Sequence, residues 1–218
     1  MPAFHVAAKV CGLNDPAGVS AAVEGGARFV GFVFYRPSPR SLPPIDAARL
    51  AAQLPDSVCP VGVFFEPNDE ELATVMRVLP DALIQLHGEE TPNRVAEIRT
   101  RFKCRVIKAI AIANDDDVAG AKDYERVADW LLFDAKAPKD HVNALPGGNA
   151  LAFDWKLLGA RDWHVPWLLS GGLTADNLAE AVMLTKARAV DVSSGVEDSP
   201  GHKSPSRIKA FLAAAHAI

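Results

Sequence analysis

Eight short apolar runs punctuate the chain, near residues 5–10, 29–34, 60–65, 82–86, 105–110, 130–134, 166–170 and 189–193. They are rich in Val, Ile, Leu and Phe and mostly do not alternate with polar residues, the pattern of parallel strands buried on both faces. Between them the apolar positions change to helical spacing. Pro16 to Glu24 carries Val19, Ala22 and Val23, and Ile45 to Gln53 follows Pro44, well placed for a helix start. Asn68 to Leu79 carries Leu72, Val75, Met76 and Leu79, and Thr91-Pro92 opens a segment reaching Phe102. Asp115 to Tyr124 is a more polar helical segment, and Thr174 to Val182 and Pro205 to Ala217 complete the set. Alternation of this kind predicts a parallel sheet. Eight repeats predict an α/β fold closed into one (βα)8 TIM barrel, with residues 1–218 as a single domain. An open doubly wound sheet would usually carry G-x-G-x-x-G after its first strand, and Val10-Cys11-Gly12-Leu13-Asn14 does not match it.

The last two runs end abruptly in small residues, Leu169-Ser170-Gly171-Gly172-Leu173 and Asp191-Val192-Ser193-Ser194-Gly195-Val196. Each reads as leading into a helix start, Thr174-Ala175-Asp176-Asn177 after the first and Val196-Glu197-Asp198 after the second. Glycines there admit close approach of a ligand to the backbone, and N–H groups at a helix start attract anions. Two such turns on the last two strands are how many (βα)8 barrels hold a phosphate. Gly171, Gly172, Ser193, Ser194 and Gly195 are therefore the phosphate-binding candidates; the plain alternative is two ordinary strand-to-helix turns. The longest irregular stretch, Ala135 to Leu151, follows strand six on the face where barrels keep their active sites, and long loops there often act as lids.

Composition narrows the partners. Lys and Arg number 23 against 27 Asp and Glu, a net charge of −4, which gives no support to nucleic-acid binding. No stretch reaches the roughly 18 apolar residues of a membrane span, and Met1 to Lys9 has no long apolar run that would mark a signal peptide. The three cysteines, Cys11, Cys59 and Cys104, are far apart and form no C-x-x-C pair. That argues against a disulfide framework or structural zinc and fits a reducing cytoplasm. The expected partner is a small phosphorylated molecule, with the protein a monomer or a homodimer.

In a (βα)8 barrel the strand C-termini converge on one site, so the residues there are the chemical candidates. Cys11 ends strand one and can act as base or nucleophile if its thiolate is favoured by a nearby cation, with Lys9 and Arg40 available; the alternative is a small buried hydrophobe. Asp134 follows the apolar residues Trp130 to Phe133. A carboxyl partly stripped of water holds its proton more readily, which suits proton donation; the alternative is a helix cap or a salt bridge to Lys136. Arg40, in a Pro-punctuated loop, can take a carboxylate or phosphate through paired hydrogen bonds, with Arg36 as competitor and a solvated surface role as the alternative. Gln85 and His87 are secondary pocket candidates, although a lone histidine in an apolar context is more often a structural residue than a catalyst. Asp191 either orients groups near the phosphate or pairs within the core. No second histidine stands at ligand spacing, so no metal is expected.

Six motifs in order, Lys9-Val10-Cys11-Gly12, Gly31-Phe32-Val33-Phe34 with Ser38-Pro39-Arg40, Gln85-Leu86-His87-Gly88, Phe153-Asp154-Trp155, Leu169-Ser170-Gly171-Gly172-Leu173 and Asp191-Val192-Ser193-Ser194-Gly195-Val196-Glu197, resemble the phosphoribosylanthranilate isomerase family. The resemblance covers nearly the whole chain. It implies a step of tryptophan synthesis, the Amadori rearrangement of N-(5-phosphoribosyl)anthranilate to 1-(2-carboxyphenylamino)-1-deoxyribulose 5-phosphate. It also implies Cys11 as general base, Asp134 as general acid and Arg40 on the anthranilate carboxylate. The imine formed on ring opening is an internal electron sink, so neither metal nor organic cofactor is expected. One departure is Gly147-Gly148-Asn149-Ala150, where the family often has Gly-Gly-x-Gly. The rival readings are the histidine-pathway isomerase, an indole-forming lyase and a non-catalytic phosphate-binding barrel. The histidine-pathway isomerase looks to use two aspartates, so Cys11 and a single-carboxylate clamp at Arg40 argue against it.

Overall fold

The computed structural model describes residues 6–136, 152–159 and 161–218. Eight strands close a parallel barrel in chain order: β1 (Ala7–Cys11), β2 (Phe29–Val33), β3 (Cys59–Phe64), β4 (Leu83–Leu86), β5 (Val106–Ile112), β6 (Trp130–Ala135), β7 (Trp167–Leu169) and β8 (Ala189–Val192). Closure is carried by β1, which pairs with β2 on one side and β8 on the other, with Lys9 opposite both Phe29 and Asp191. The expected strands are all present, displaced by at most two residues at their ends.

Two apolar layers explain why the strands read as continuous hydrophobic runs. One lies inside the barrel and includes Phe29, Val61, Leu83, Ile107, Leu132, Leu168 and Ala189. The other, larger layer lies between strands and helices and includes Val10, Val30, Ile84, Leu131, Val190, Leu72, Ile98 and Phe211. Alternate residues serve the two layers, as the strand period requires. Continuing that parity upward, the interior positions nearest the C-terminal mouth are occupied by Lys9, Cys11, Gln85, His87, Asp134, Ser170 and Asp191. The polar residues singled out in the sequence thus share the barrel interior.

The helices begin where the capping residues stand. They are α1 (Pro16–Glu24), α2 (Pro44–Ala51), α3 (Asp69–Val78), α4 (Pro92–Phe102), α5 (Asp115–Gly120), α6 (Leu178–Thr185) and α7 (Pro205–His216). Asp15 accepts from the Gly18 N–H ahead of α1, Thr91 from the Arg94 N–H ahead of α4, and Asn68 forms a reciprocal capping box with Glu71 ahead of α3. Between β6 and β7 the described residues hold no α-helix, only a 3₁₀ turn over Trp155–Leu157 in the Phe153-Asp154-Trp155 motif. The loop expected over 135–151, including the Gly147 to Ala150 departure, lies almost wholly outside the described residues.

Three expectations about helices need correction. The segment over Asp115 to Tyr124 is α-helical only to Gly120 and tightens to 3₁₀ over Ala121–Tyr124. The helix expected from Thr174 starts at Leu178, because Asn177 folds back on the preceding turn: its Oδ1 accepts from the Thr174 N–H at 2.8 Å and its Nδ2 donates to the Gly172 carbonyl at 2.9 Å. Val196-Glu197-Asp198 does not open an α-helix. After a 3₁₀ turn over Ser194–Val196 the chain makes an antiparallel hairpin, β9 (Glu197–Ser199) and β10 (His202–Lys203). Pro200 and Gly201, the latter at φ 83°, reverse the chain there.

Candidate active site

The two Gly-Ser turns lie against each other. Gly171 and Gly172 have φ of 89° and 65° at the end of β7. Gly195, after β8, approaches the Leu173 carbonyl so closely that a Cβ would lie 2.0 Å from its oxygen. The end of the first turn and the middle of the second are therefore in backbone contact, and only glycine fits at 195. Gly172, Ser193, Ser194 and Gly195 are half-buried at this junction. Gly195→Ala is expected to part the two turns, costing hydrogen bonds to a bound anion. Such bonds to a charged group are worth about 1.5–3 kcal/mol each, so KM should rise by about 10–100-fold, with inorganic phosphate weakened as an inhibitor in parallel. Steady-state kinetics with phosphate as competitor checks this.

On the β1 side, Lys9 and Asp191 form a buried ion pair at 2.9 Å, and Ser170 Oγ donates to the second Asp191 oxygen at 3.3 Å. Asp191 therefore pairs within the core. Cys11 Sγ and Lys9 Nζ both crowd Gly31 on β2, where a Cβ would lie 3.0 Å and 3.2 Å from them; the missing side chain makes room for the two. Burial works against the Lys9 charge, but Asp191 and Cys11 outweigh it and raise the ammonium above its ordinary value. Burial pushes the Cys11 thiol up, and Lys9 pulls it back only in part. Loss of water and the cations therefore act on this thiol in opposite directions, with Lys9 the cation beside it.

Across the barrel, Asp134 is 6% exposed at the end of β6. Its Oδ1 accepts from the Ala135 N–H at 2.9 Å and its Oδ2 lies 3.2 Å from His87 Nε2. His87 Nδ1 is 2.8 Å from Gln85 Nε2. The alternative partner, Lys136, bonds Asp117 instead. A second buried pair supports this wall. Lys108 donates to Glu90 at 2.9 Å and to the carbonyls of Gly88, Ala109 and Leu86. Burial lowers the Lys108 ammonium, with Glu90 opposing. Glu90 in turn accepts from the N–H groups of Glu66 and Gly88.

Arg40 is buried while its competitor Arg36 is exposed. Its guanidinium meets Glu197 edge-on, Nε to Oε1 at 2.7 Å and Nη2 to Oε2 at 2.8 Å, a bidentate pair. Lys203 Nζ reaches the same Glu197 Oε1 at 2.7 Å and also donates to the Ser193 carbonyl at 2.9 Å. Burial opposes the Glu197 charge, yet Arg40 and Lys203 hold its carboxyl below the usual range. Two cations on one carboxylate leave the cluster with one net positive charge next to the turn after β8. The Lys203 ammonium is itself lowered, chiefly by burial.

Lys203 and Gly31 were not among the sequence candidates, and Glu197 figured only in an expected helix start and at the end of a motif. Lys203 carries no periodic signal; it reaches the site because the β9–β10 hairpin replaces the helix start expected there. Gly31 stood in the sequence only as the start of a motif, and its role depends on what the neighbouring β1 places beside it. Among the described residues no group of three or more His, Cys, Asp or Glu side chains can hold a metal ion.

The closed barrel, with its glycine-rich turns and polar interior at one mouth, belongs to the class of (βα)8-barrel enzymes. The family model for N-(5'phosphoribosyl)anthranilate (PRA) isomerase matches residues 8–214. An N-(5'-phosphoribosyl)anthranilate isomerase of Rhodospirillum centenum is 56% identical over 213 residues, covering 98% of this chain and 99% of the relative. Two solved structures, each 36% identical, align over 98% of this chain and 100% of theirs. One is phosphoribosyl anthranilate isomerase in complex with reduced 1-(o-carboxyphenylamino)-1-deoxyribulose 5-phosphate, at a TM-score of 0.84. The other shows monomers generated from the dimeric isomerase of Thermotoga maritima, at 0.83. The chain belongs to the PRA isomerase family.

Proposed function

We propose that Asp134 and Cys11 divide the proton transfers of PRA isomerisation, with the substrate phosphate held between them. The reaction is the Amadori rearrangement of the tryptophan pathway, in which an aminoaldose opens and becomes an aminoketose. One observation supports this placement of the two groups. In the closed barrel the order β6-β7-β8-β1 sets the two phosphate turns, on β7 and β8, between the strand of the acid and the strand of the base. A phosphosugar anchored at those turns has the Asp134 and Cys11 walls on either side, which positions it for both steps.

Ring opening needs a proton on the furanose oxygen as the C1–O bond breaks, and the protonated Asp134 carboxyl donates it, leaving a Schiff base. The positive imine acidifies the C2 proton. Cys11 thiolate removes that proton, giving an enolamine that tautomerises to the ketone. Lys9, held charged by Asp191, stabilises the thiolate when it forms. The net positive charge of the Arg40–Glu197–Lys203 cluster draws the anionic substrate, and Arg40 is the residue we assign to its anthranilate carboxylate. That contact must be made alongside the bidentate pair with Glu197. The chain acts as a monomer or a homodimer, and no helix of the described residues is long and apolar enough to cross a membrane. We place the enzyme in the cytoplasm, where three free cysteines stay reduced.

The test is to generate phosphoribosylanthranilate in place, add the purified chain and follow loss of anthranilate fluorescence. Rapid loss with saturation, inhibited by inorganic phosphate, is the expected result. Loss no faster than the uncatalysed background, from folded protein, would refute the reading.

A further inference from the structure

We infer that Gln85 and His87 are positioning residues for the acid, acting on the reaction only through the orientation of the Asp134 carboxyl. The inference rests on the reading of Asp134 given above. With Oδ1 held by the Ala135 N–H and Oδ2 by His87 Nε2, the plane of the carboxyl is fixed from both ends, and each oxygen keeps a second lone pair on which the acid proton can sit. The imidazole is held in its own right. Gln85 Nε2 donates to Nδ1, which leaves Nε2 as the protonated nitrogen and makes it the donor to Asp134. The His87 backbone N–H bonds the Phe64 carbonyl at 2.8 Å. Lys108 grips the carbonyls of Leu86 and Gly88, one on each side of His87. A buried ion pair, a strand end and an amide thus converge on one imidazole, which touches the acid.

Gln85 shows that this arrangement is not packing alone. Its side chain is fully buried, and its Oε1 has no hydrogen-bond partner among the described residues. An unpartnered buried carbonyl destabilises the fold. An apolar side chain of the same length would avoid that cost, so what the amide supplies is its N–H on His87. A purely structural glutamine and a positioning one therefore differ in sign for stability.

The experiment compares Gln85→Met, His87→Ala and Asp134→Asn, singly and with the last two combined, by steady-state kinetics and thermal unfolding. His87→Ala is expected to lower kcat by about 10–100-fold with KM nearly unchanged, the scale on which a misplaced catalytic group loses rate. Gln85→Met is expected to lower kcat by about 10-fold while its melting temperature stays level or rises. In the Asp134→Asn background, His87→Ala should cost no more than about twofold further, because its target is already gone. Three results overturn the inference: kcat of His87→Ala within about twofold of wild type, independent multiplication of the two losses in the combined variant, or a Gln85→Met loss that tracks lowered stability. A fast Asp134→Asn would instead bring down the acid reading itself. A slow Asp134→Asn beside a fast His87→Ala would sink the positioning role alone.

Discussion

Cys11→Ala is expected to lower kcat by about 10²–10⁴-fold, the range for loss of a general base, while inorganic phosphate inhibits the variant as it does the wild type. The side chain lost is small, the neighbouring Lys9–Asp191 pair keeps its partner, and the phosphate turns belong to other strands. Binding and catalysis should therefore separate cleanly. The same residue sets a pH dependence whose sign follows from its surroundings. Burial favours the neutral thiol and pushes its pKa up, with Lys9 opposing only in part. The base form thus gains population as pH rises, and the wild-type kcat/KM should still be climbing about one unit above pH 8.5, where an ordinary thiol has levelled off. Lys9, raised in its own right, stays charged across that window. A Cys11→Ala variant retaining a tenth or more of the rate, or a profile already flat below that pH, would remove Cys11 from the role of base.

Asp134→Asn is expected to lower kcat by a similar factor, about 10²–10⁴-fold. The amide keeps the shape of the carboxyl and still offers an oxygen to the His87 N–H, yet it has no acidic proton to deliver to the ring oxygen. A modest loss of stability is expected, because the amide NH2 then faces the Ala135 N–H that the carboxyl accepted, while Lys108 and Glu90 still hold the wall. Rapid-mixing fluorescence separates the steps: ring opening stalls in Asp134→Asn, whereas Cys11→Ala opens the ring and stalls before proton removal at C2. Phosphate affinity unchanged in both variants would place the loss in the chemistry. Normal turnover by Asp134→Asn, from protein with a wild-type melting temperature, would require a different acid.

Much of the frame was written in local patterns. Continuous apolar runs marked all eight strands because each strand is covered by helices on one face and barrel core on the other. Pro16, Pro44, Pro92 and Pro205 stand in the first turns of their helices, where a missing N–H costs nothing. Cys11, His87, Asp134 and the two Gly-Ser turns were legible because each breaks an apolar run where a parallel strand must end. Arg40 stood out by residue type, but whether it or Arg36 turned inward was not decided by its loop. The helix expected at Val196-Glu197-Asp198 went wrong because a carboxylate near a strand end looks like a first helical turn. There Pro200 and Gly201 bend the chain into a hairpin instead, and Glu197 serves Arg40 and Lys203.

By itself, then, the sequence determined the strands, most helix starts and the residue types available at the mouth of the barrel, since these depend on side-chain period, capping and turn chemistry within a few neighbours. Tertiary structure decided which of those residues meet. Lys9 and Asp191 are 182 positions apart, and Arg40 and Glu197 are 157 apart; closure of β1 onto β8 and the fold of the last hairpin bring each pair within hydrogen-bond reach. It also set the surroundings of the thiol. The Cys11 thiol is governed by how much water the finished barrel removes and by which cation it leaves nearby, and burial is a property of the packed whole that no local pattern carries.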